Sequence, residues 1–315
     1  MPFDSHLAAQ FHHIEQFSSF EAALATPEGA AQYAKWMEDP APWSLPEGLS
    51  ITDRSIDGPH GTIPVRIYRP EAPLDVARPA LLWLHGGAFL FGGLDMNESH
   101  VVSAELASRA GAVVVSVDYR LAGDGVQYPV PLDDVVAAWN WLIASADELG
   151  TDPARSSIGG ASAGGNLATA ASMRVRDEGG PLPRQMLLAY PLVHFPIPAL
   201  DPAVVVEMQA LPAMLHFGGG FHEFILHSYI GRITDIPAGY APGNFALEGM
   251  PPAVIAPAEY DELRPSAELF ARQLRSVGVP VAVELAEGMV HGHLDRTPGH
   301  PAVDRTLRFF ATALA

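Results

Sequence analysis

The chain has 315 residues, 48% of them apolar, with 18 Lys and Arg against 36 Asp and Glu for a formal net charge of -18. That length has room for one large domain with an insertion, and the acidic balance excludes nucleic acid and anionic membranes as leading partners, since affinity for a phosphate backbone is supplied by Lys and Arg. The absence of cysteine excludes disulfides, cysteine nucleophiles and thiolate metal sites, no apolar run is long enough for an integral membrane segment, and without a basic-then-apolar leader in MPFDSHLAAQFHH the expected location is cytoplasmic.

Residues 4–37 place Leu7, Phe11, Ile14 and Phe17 at helical spacing, with Pro27 marking the break before a second short helix. These predict N-terminal cap helices over residues 1–45, joined through the proline-rich Pro40–Pro46 run to the first part of a core at 46–194. His12 and His13 read as surface or packed side chains. Ile51–Asp57 and Gly61–Tyr68 are predicted strands around the Gly58-Pro59-His60 turn. Pro79–Leu84 is almost continuously apolar, the pattern of a strand covered on both faces, and it runs into His85-Gly86-Gly87-Ala88-Phe89. A helix at Asn97–Ala110, a strand at Ala112–Val117 and a helix at Leu132–Ala146 follow. The last has Pro131, Asp133 and Asp134 at its start, where a missing donor and negative charge are favourable.

An extended run at Ser156–Ile158 precedes the small-residue helix Asn166–Ala171, and further strands are predicted at Gln185–Tyr190, Ala253–Pro257 and Val279–Leu285, with helices at Pro265–Val277 and Pro301–Leu314. This alternation predicts an α/β fold with a mostly parallel central sheet of about eight strands covered by helices. The roughly sixty residues between Tyr190 and Ala253 are too many for a connecting loop. They predict a cap insertion at 195–250, with the core resuming at 251–315.

Gly160, Ser162 and Gly164 form a G-x-S-x-G spacing between a predicted strand and a predicted helix, which would hold the serine on a sharp, exposed turn. A serine hydroxyl is a weak nucleophile near neutral pH and needs a base, itself oriented by an acid. In a sheet of this kind the acid follows a later strand and the histidine the last one. Asp261 is the preferred acid after Ala253–Pro257, with Glu259 its nearest rival. His291 and His293 both follow the last strand, and spacing leaves open which is the base and which a wall of the site. His291-x-His293-x-Asp295 also has the look of a dinuclear metal motif, but Arg296 stands where a further ligand would be wanted, so no metal and no cofactor is expected. The backbone N–H groups of Gly86, Gly87 and Ala163 are the expected oxyanion-hole donors.

The segments His85-Gly86-Gly87-Ala88-Phe89, Asp118-Tyr119-Arg120-Leu121-Ala122, Gly160-Ala161-Ser162-Ala163-Gly164-Gly165-Asn166-Leu167, Glu259-Tyr260-Asp261-Glu262-Leu263-Arg264 and Met289-Val290-His291-Gly292 together resemble the hormone-sensitive-lipase-like branch of the α/β-hydrolase fold. The resemblance implies a serine carboxylesterase or lipase with Ser162 as nucleophile, His291 as general base and Asp261 as its orienting acid. It also implies an oxyanion hole from Gly86, Gly87 and Ala163, and a helical cap. Two positions depart from the branch: Ala161 stands where an acidic residue or Thr is common, and His293 where an aromatic is usual. Asp118 and Arg120 read as a structural network.

Candidate cap residues are Phe11, Phe17, Trp36, Leu211, Met214, Leu215, Phe217, Phe221 and Phe224, with Phe217, Phe221 and His293 expected in the substrate pocket. An apolar pocket without an Arg or Lys cluster favours a small-molecule ester substrate of short to medium acyl chain, with water as second substrate. The same triad would serve an acyltransferase or amidase, and the fold a non-catalytic small-molecule-binding protein. A homodimer through a sheet edge or the cap is compatible with the sequence, though no residue specifies it.

Overall fold

The computed structural model describes residues 3–73, 76–217 and 219–315. The chain begins with α1 (Ser5–Gln10), α2 (Phe20–Leu24) and α3 (Pro27–Trp36). Each starts on a side chain that accepts from otherwise orphaned first-turn N–H groups: Asp4 from His6 and Leu7, Ser19 from Ala22, Thr26 from Gly29.

The core then runs β1 (Leu49–Ile56), β2 (Ile63–Pro70), β3 (Arg78–Leu84), α4 (Asn97–Ala110), β4 (Val113–Val117), α5 (Val130–Ala144), α6 (Ala146–Leu149), β5 (Thr151–Ala161), α7 (Ala163–Asp177) and β6 (Met186–Ala189). The long insertion carries α8 (Pro202–Met208) and α9 (Gly219–Ile230). The chain closes with β7 (Ala253–Ala256), β8 (Ala258–Tyr260), α10 (Arg264–Ser276), β9 (Val281–Val283), β10 (Ala286–Val290) and α11 (Pro301–Leu314).

Among the described residues, eight strands form the central sheet in the order β1-β2-β4-β3-β5-β6-β7-β9. The β1–β2 and β2–β4 pairings are antiparallel and the others parallel. Because side chains alternate across a strand, β3 sends Ala80, Leu82 and Leu84 to one face and Leu81 and Trp83 to the other. The first set packs with α5, α7 and α10, the second with α4 and α11. This double covering explains why β3 and β4 are buried along their whole length.

One further element follows the last expected strand. The strand expected at Val279–Leu285 is β9, which lies at the sheet edge, followed by β10, which leaves the sheet and pairs in parallel with β8. Pro257, between β7 and β8, has no N–H to offer the sheet, and the hydrogen bonding passes from the Glu284 N–H on the Ile255 carbonyl to the Ala286 N–H on the Pro257 carbonyl. The small β8–β10 sheet is what carries the loops bearing Asp261 and His291 outward.

The cap region is fastened at several points. Ile225, Leu226, Tyr229 and Ile230 of α9 sink into the larger core, with the Tyr229 ring stacked 4.1 Å from Phe89. The Asp4 N–H donates to the Gly288 carbonyl at 3.0 Å. Arg296 donates to the Trp36 carbonyl at 2.6 Å and lies 4.8 Å over the Trp36 ring. Among the described residues, no helix is long and apolar enough to cross a membrane.

Candidate active site

Ser162 sits between β5 and α7 at φ 52° and ψ -113°, a conformation costly for a residue with a side chain. Its backbone is held from both sides: the Ser162 N–H donates to the Ala189 carbonyl, and its carbonyl accepts from the Asn166 N–H. A Cβ at Gly160 would come within 2.5 Å of the Gly164 carbonyl carbon, and one at Gly164 would collide with the Leu84 carbonyl oxygen. Strand and helix meet too closely here for any side chain but hydrogen at those two positions.

The parallel register of the small sheet pairs Tyr260 with Val290, so the next residues, Asp261 and His291, leave it side by side. His291 Nδ1 is 2.7 Å from Asp261 Oδ2, and His291 Nε2 is 2.9 Å from Ser162 Oγ. A carboxylate only accepts, so Nδ1 carries the proton and Nε2 is left to accept from the serine hydroxyl. Asp261 is fully buried, and its Oδ1 accepts from the Leu263 N–H at 2.8 Å. Burial works against a charge on His291, but the Asp261 carboxylate, helped by Glu98 and Glu262, raises the imidazole pKa on balance. The edges of Phe217 and Tyr190 flank that ring at 4.8 and 4.9 Å.

The rival groups are engaged elsewhere. Glu259 Oε2 accepts from the Gly288 N–H at 2.7 Å. His293 is buried in the cavity wall with Nε2 3.1 Å from Thr306 Oγ1, and burial, followed by the nearby His291 and His300, drives its pKa down to about 3. Arg120 binds Asp134 and the carbonyls of His60 and Thr62, a purely structural set. His12 and His13 bond to the Ala9 carbonyl and to Gln32, away from the site.

The glycine turn after β3 corrects one expectation. The Gly86 N–H is spent on Glu98 Oε2 at 2.5 Å and does not face the serine. Gly87 and Ala88, both at positive φ, line the cavity together with Ser162 and Ala163. Among the described residues, none of the N–H groups of Gly87, Ala88 and Ala163 donates within the protein. The turn is braced by His85, whose ring stacks 4.4 Å from Tyr119 while the Tyr119 hydroxyl donates to the His85 carbonyl.

A cavity of about 570 Å³ opens over Ser162, walled by the glycine turn, the base loop and the cap. Trp36, Met214, Leu215, Phe217 and Phe221 line it. Phe11, Phe17 and Leu211 instead pack within the cap and its base. Phe224 lies on the outer side of α9 and is 57% exposed, because Ile225, Leu226 and Tyr229 take the inward face of that helix.

A serine presented in this way above a parallel sheet and beneath a helical cap is the architecture of α/β hydrolases. The chain belongs to that family: residues 81–295 match the model of the alpha/beta hydrolase fold. Its relatives place it in the hormone-sensitive-lipase-like branch, and it is a carboxylic ester hydrolase. It is 38% identical over 253 residues to the esterase LipI of Mycobacterium tuberculosis, an alignment covering 78% of this chain and 75% of that protein. The carboxylesterase NlhH of the same organism is 37% identical over 260 residues, covering 81% and 78%. The solved structure of a hyperthermophilic esterase from the archaeon Pyrobaculum calidifontis superposes with a TM-score of 0.82 at 27% identity, covering 100% of this chain and 98% of that one.

Proposed function

We propose that the enzyme hydrolyses uncharged acyl esters of short to medium chain length through an acyl-enzyme on Ser162. His291 takes the Ser162 proton as Oγ attacks the ester carbonyl, and Asp261 holds the imidazole in the required tautomer and stabilises its charge. The tetrahedral oxyanion is received by the N–H groups of Gly87, Ala88 and Ala163, all of them free of other acceptors among the described residues. His291 then gives its proton to the leaving alcohol, and a water molecule activated by the same base releases the acid.

The observation that carries this reading is the unbroken Ser162–His291–Asp261 hydrogen-bond chain opening into a mainly apolar cavity. The cap, proposed as residues 1–45 with 195–250, encloses the acyl and alcohol groups. Arg296, the only cation on the wall among the described residues, is already committed to Trp36 and Asp39, which disfavours a carboxylate on the substrate. The test is hydrolysis of p-nitrophenyl esters of increasing chain length beside an amide analogue. Turnover confined to the shorter esters supports the reading; preference for the longest esters or for the amide overturns it.

A further inference from the structure

Several polar side chains around the cavity are already bonded within the protein. His216 Nδ1 lies 3.2 Å from Glu262 Oε1, His293 meets Thr306, and Glu98 accepts from Gly86 and Tyr190. His222 differs. It stands on α9 beside Phe221, half-buried, and lines the cavity. Among the described residues, its ring nitrogens make no hydrogen bond within the protein and, unlike Trp36 Nε1 and His293 Nδ1, are not sealed from solvent.

Burial pushes the His222 pKa down to about 4, with the His291 charge adding to the fall and Asp261 opposing it. The ring is therefore neutral under working conditions and near enough to the triad to sense both charges. A neutral imidazole offers one donor and one acceptor. Leaving both unpaired once a bound substrate expels water is unfavourable, so a substrate that supplies the missing partner gains over one that does not. A carboxylate or phosphate on the substrate would find no free cation on the wall, whereas an uncharged hydroxyl both donates and accepts.

We propose that His222 is a specificity-determining residue that hydrogen-bonds a hydroxyl carried by the substrate near its ester group, which makes hydroxy-substituted esters the preferred substrate class. The assignment rests on Ser162 acting as the nucleophile in the same cavity. An acyl-side and an alcohol-side hydroxyl present the same chemistry, and the experiment separates them.

The measurement is kcat/KM for two matched pairs, p-nitrophenyl 3-hydroxybutyrate against p-nitrophenyl butyrate, and 2-hydroxyethyl butyrate against ethyl butyrate. It is made for the wild type, His222→Phe and His222→Gln. In one pair His222→Phe is expected to lower the hydroxy-to-plain ratio about tenfold, a typical loss for one unpaired neutral hydrogen bond. His222→Gln, which keeps a donor and an acceptor, is expected to retain most of the ratio. The pair affected tells which side of the ester carries the hydroxyl. A ratio unchanged by His222→Phe in both pairs, or lowered equally by both substitutions, overturns the proposal. Wild-type rates on the plain esters no higher than those of Ser162→Ala would instead overturn the nucleophile assignment.

Discussion

Glu98 and Gly86 are joined by a 2.5 Å hydrogen bond from the glycine N–H to the carboxyl Oε2. The other oxygen, Oε1, accepts from the Tyr190 hydroxyl at 2.6 Å, and that hydroxyl accepts in turn from the Leu294 N–H at 3.3 Å. One buried carboxyl thus ties the glycine turn to the end of β6 and to the loop carrying His291. Its place depends on the missing side chain of Gly86, since a Cβ there would lie 2.5 Å from Oε2. Ala161 contributes no acid of its own beside Ser162, and Glu98 approaches the elbow from α4 instead.

Removing that tie is expected to act on the rate more than on binding. Loss of one oxyanion donor costs on the order of 100-fold in kcat, and Glu98→Ala, which frees the turn bearing Gly87 and Ala88, is expected to approach that loss with a smaller change in KM. Glu98→Gln keeps an acceptor for Gly86 and can donate to the Tyr190 oxygen, so its rate is expected to fall about tenfold or less. Steady-state kinetics on a short p-nitrophenyl ester distinguish the two, and equal losses for both would remove the positioning role.

The triad assignment predicts a separation between the two histidines. Ser162→Ala is expected to abolish detectable turnover with the melting temperature preserved. His291→Ala is expected to lose about 10⁴-fold in kcat, the scale of a lost triad member. His293→Ala leaves the base in place and opens a hole beside Tyr190 and Thr306, so its main effect is expected in thermal stability. Equal residual rates in the two histidine variants would undo this ordering.

The Asp261 carboxylate makes a prediction about pH. His291 must be neutral to accept the serine proton, and although burial lowers its pKa, Asp261 together with the more distant Glu98 and Glu262 raises it on balance. The acid limb of kcat/KM is therefore expected above the ordinary imidazole value of 6.5. In Asp261→Asn the largest raising charge is gone while burial and the weaker influence of Glu98 and Glu262 remain, so the limb is expected to move to lower pH while kcat falls about 10⁴-fold. A limb that stays in place would mean that another group governs it.

Much of this was legible in the sequence because it rests on short-range rules. The continuous apolar run of β3, the G-x-S-x-G turn and the order of serine, acid and histidine each follow from strand periodicity and connection geometry. The β8–β10 sheet is not legible there, because Ala258–Tyr260 and Ala286–Val290 are too short and too mixed in character to read as strands beyond the ends of Ala253–Pro257 and Val279–Leu285. Glu98 was missed for another reason. In the first turn of α4 an acid is ordinarily explained by the helix dipole, and only the fold brings it back to Gly86, twelve positions earlier. Whether Phe224 lines or packs the cap is not legible in the sequence, because Phe221, Phe224, Ile225, Leu226, Tyr229 and Ile230 do not single out one apolar stripe and the inward face of α9 is decided by packing.

Asp295 predicts how stability changes with pH. Its Oδ1 lies 3.4 Å from the Glu98 N–H and its backbone carbonyl accepts from the Asn97 side chain, at the start of a helix whose N-cap residue, Met96, supplies no side-chain bond. Desolvation, followed by the charge of Glu98, pushes the Asp295 pKa up to about 8. An unfolded chain releases this proton near the ordinary value of 3.8, so between the two values the folded state binds the extra proton, and its stabilising contribution is lost as pH rises toward 8. His85 and His293, pushed by burial to about 4 and about 3, act in the opposite sense and weaken the fold as pH falls below 6.5. They are common to wild type and variant and cancel in a difference. Buried Glu98, whose raised pKa is tied to Asp295, loses that part of its shift in Asp295→Asn and so adds to the difference in the same sense. Asp295→Asn keeps an acceptor for the Glu98 N–H but never ionises. Its melting temperature minus that of the wild type is therefore expected to be most positive at pH 9 and to shrink steadily toward pH 5, and a difference constant over that range would show that Asp295 titrates alike in the folded and unfolded chains.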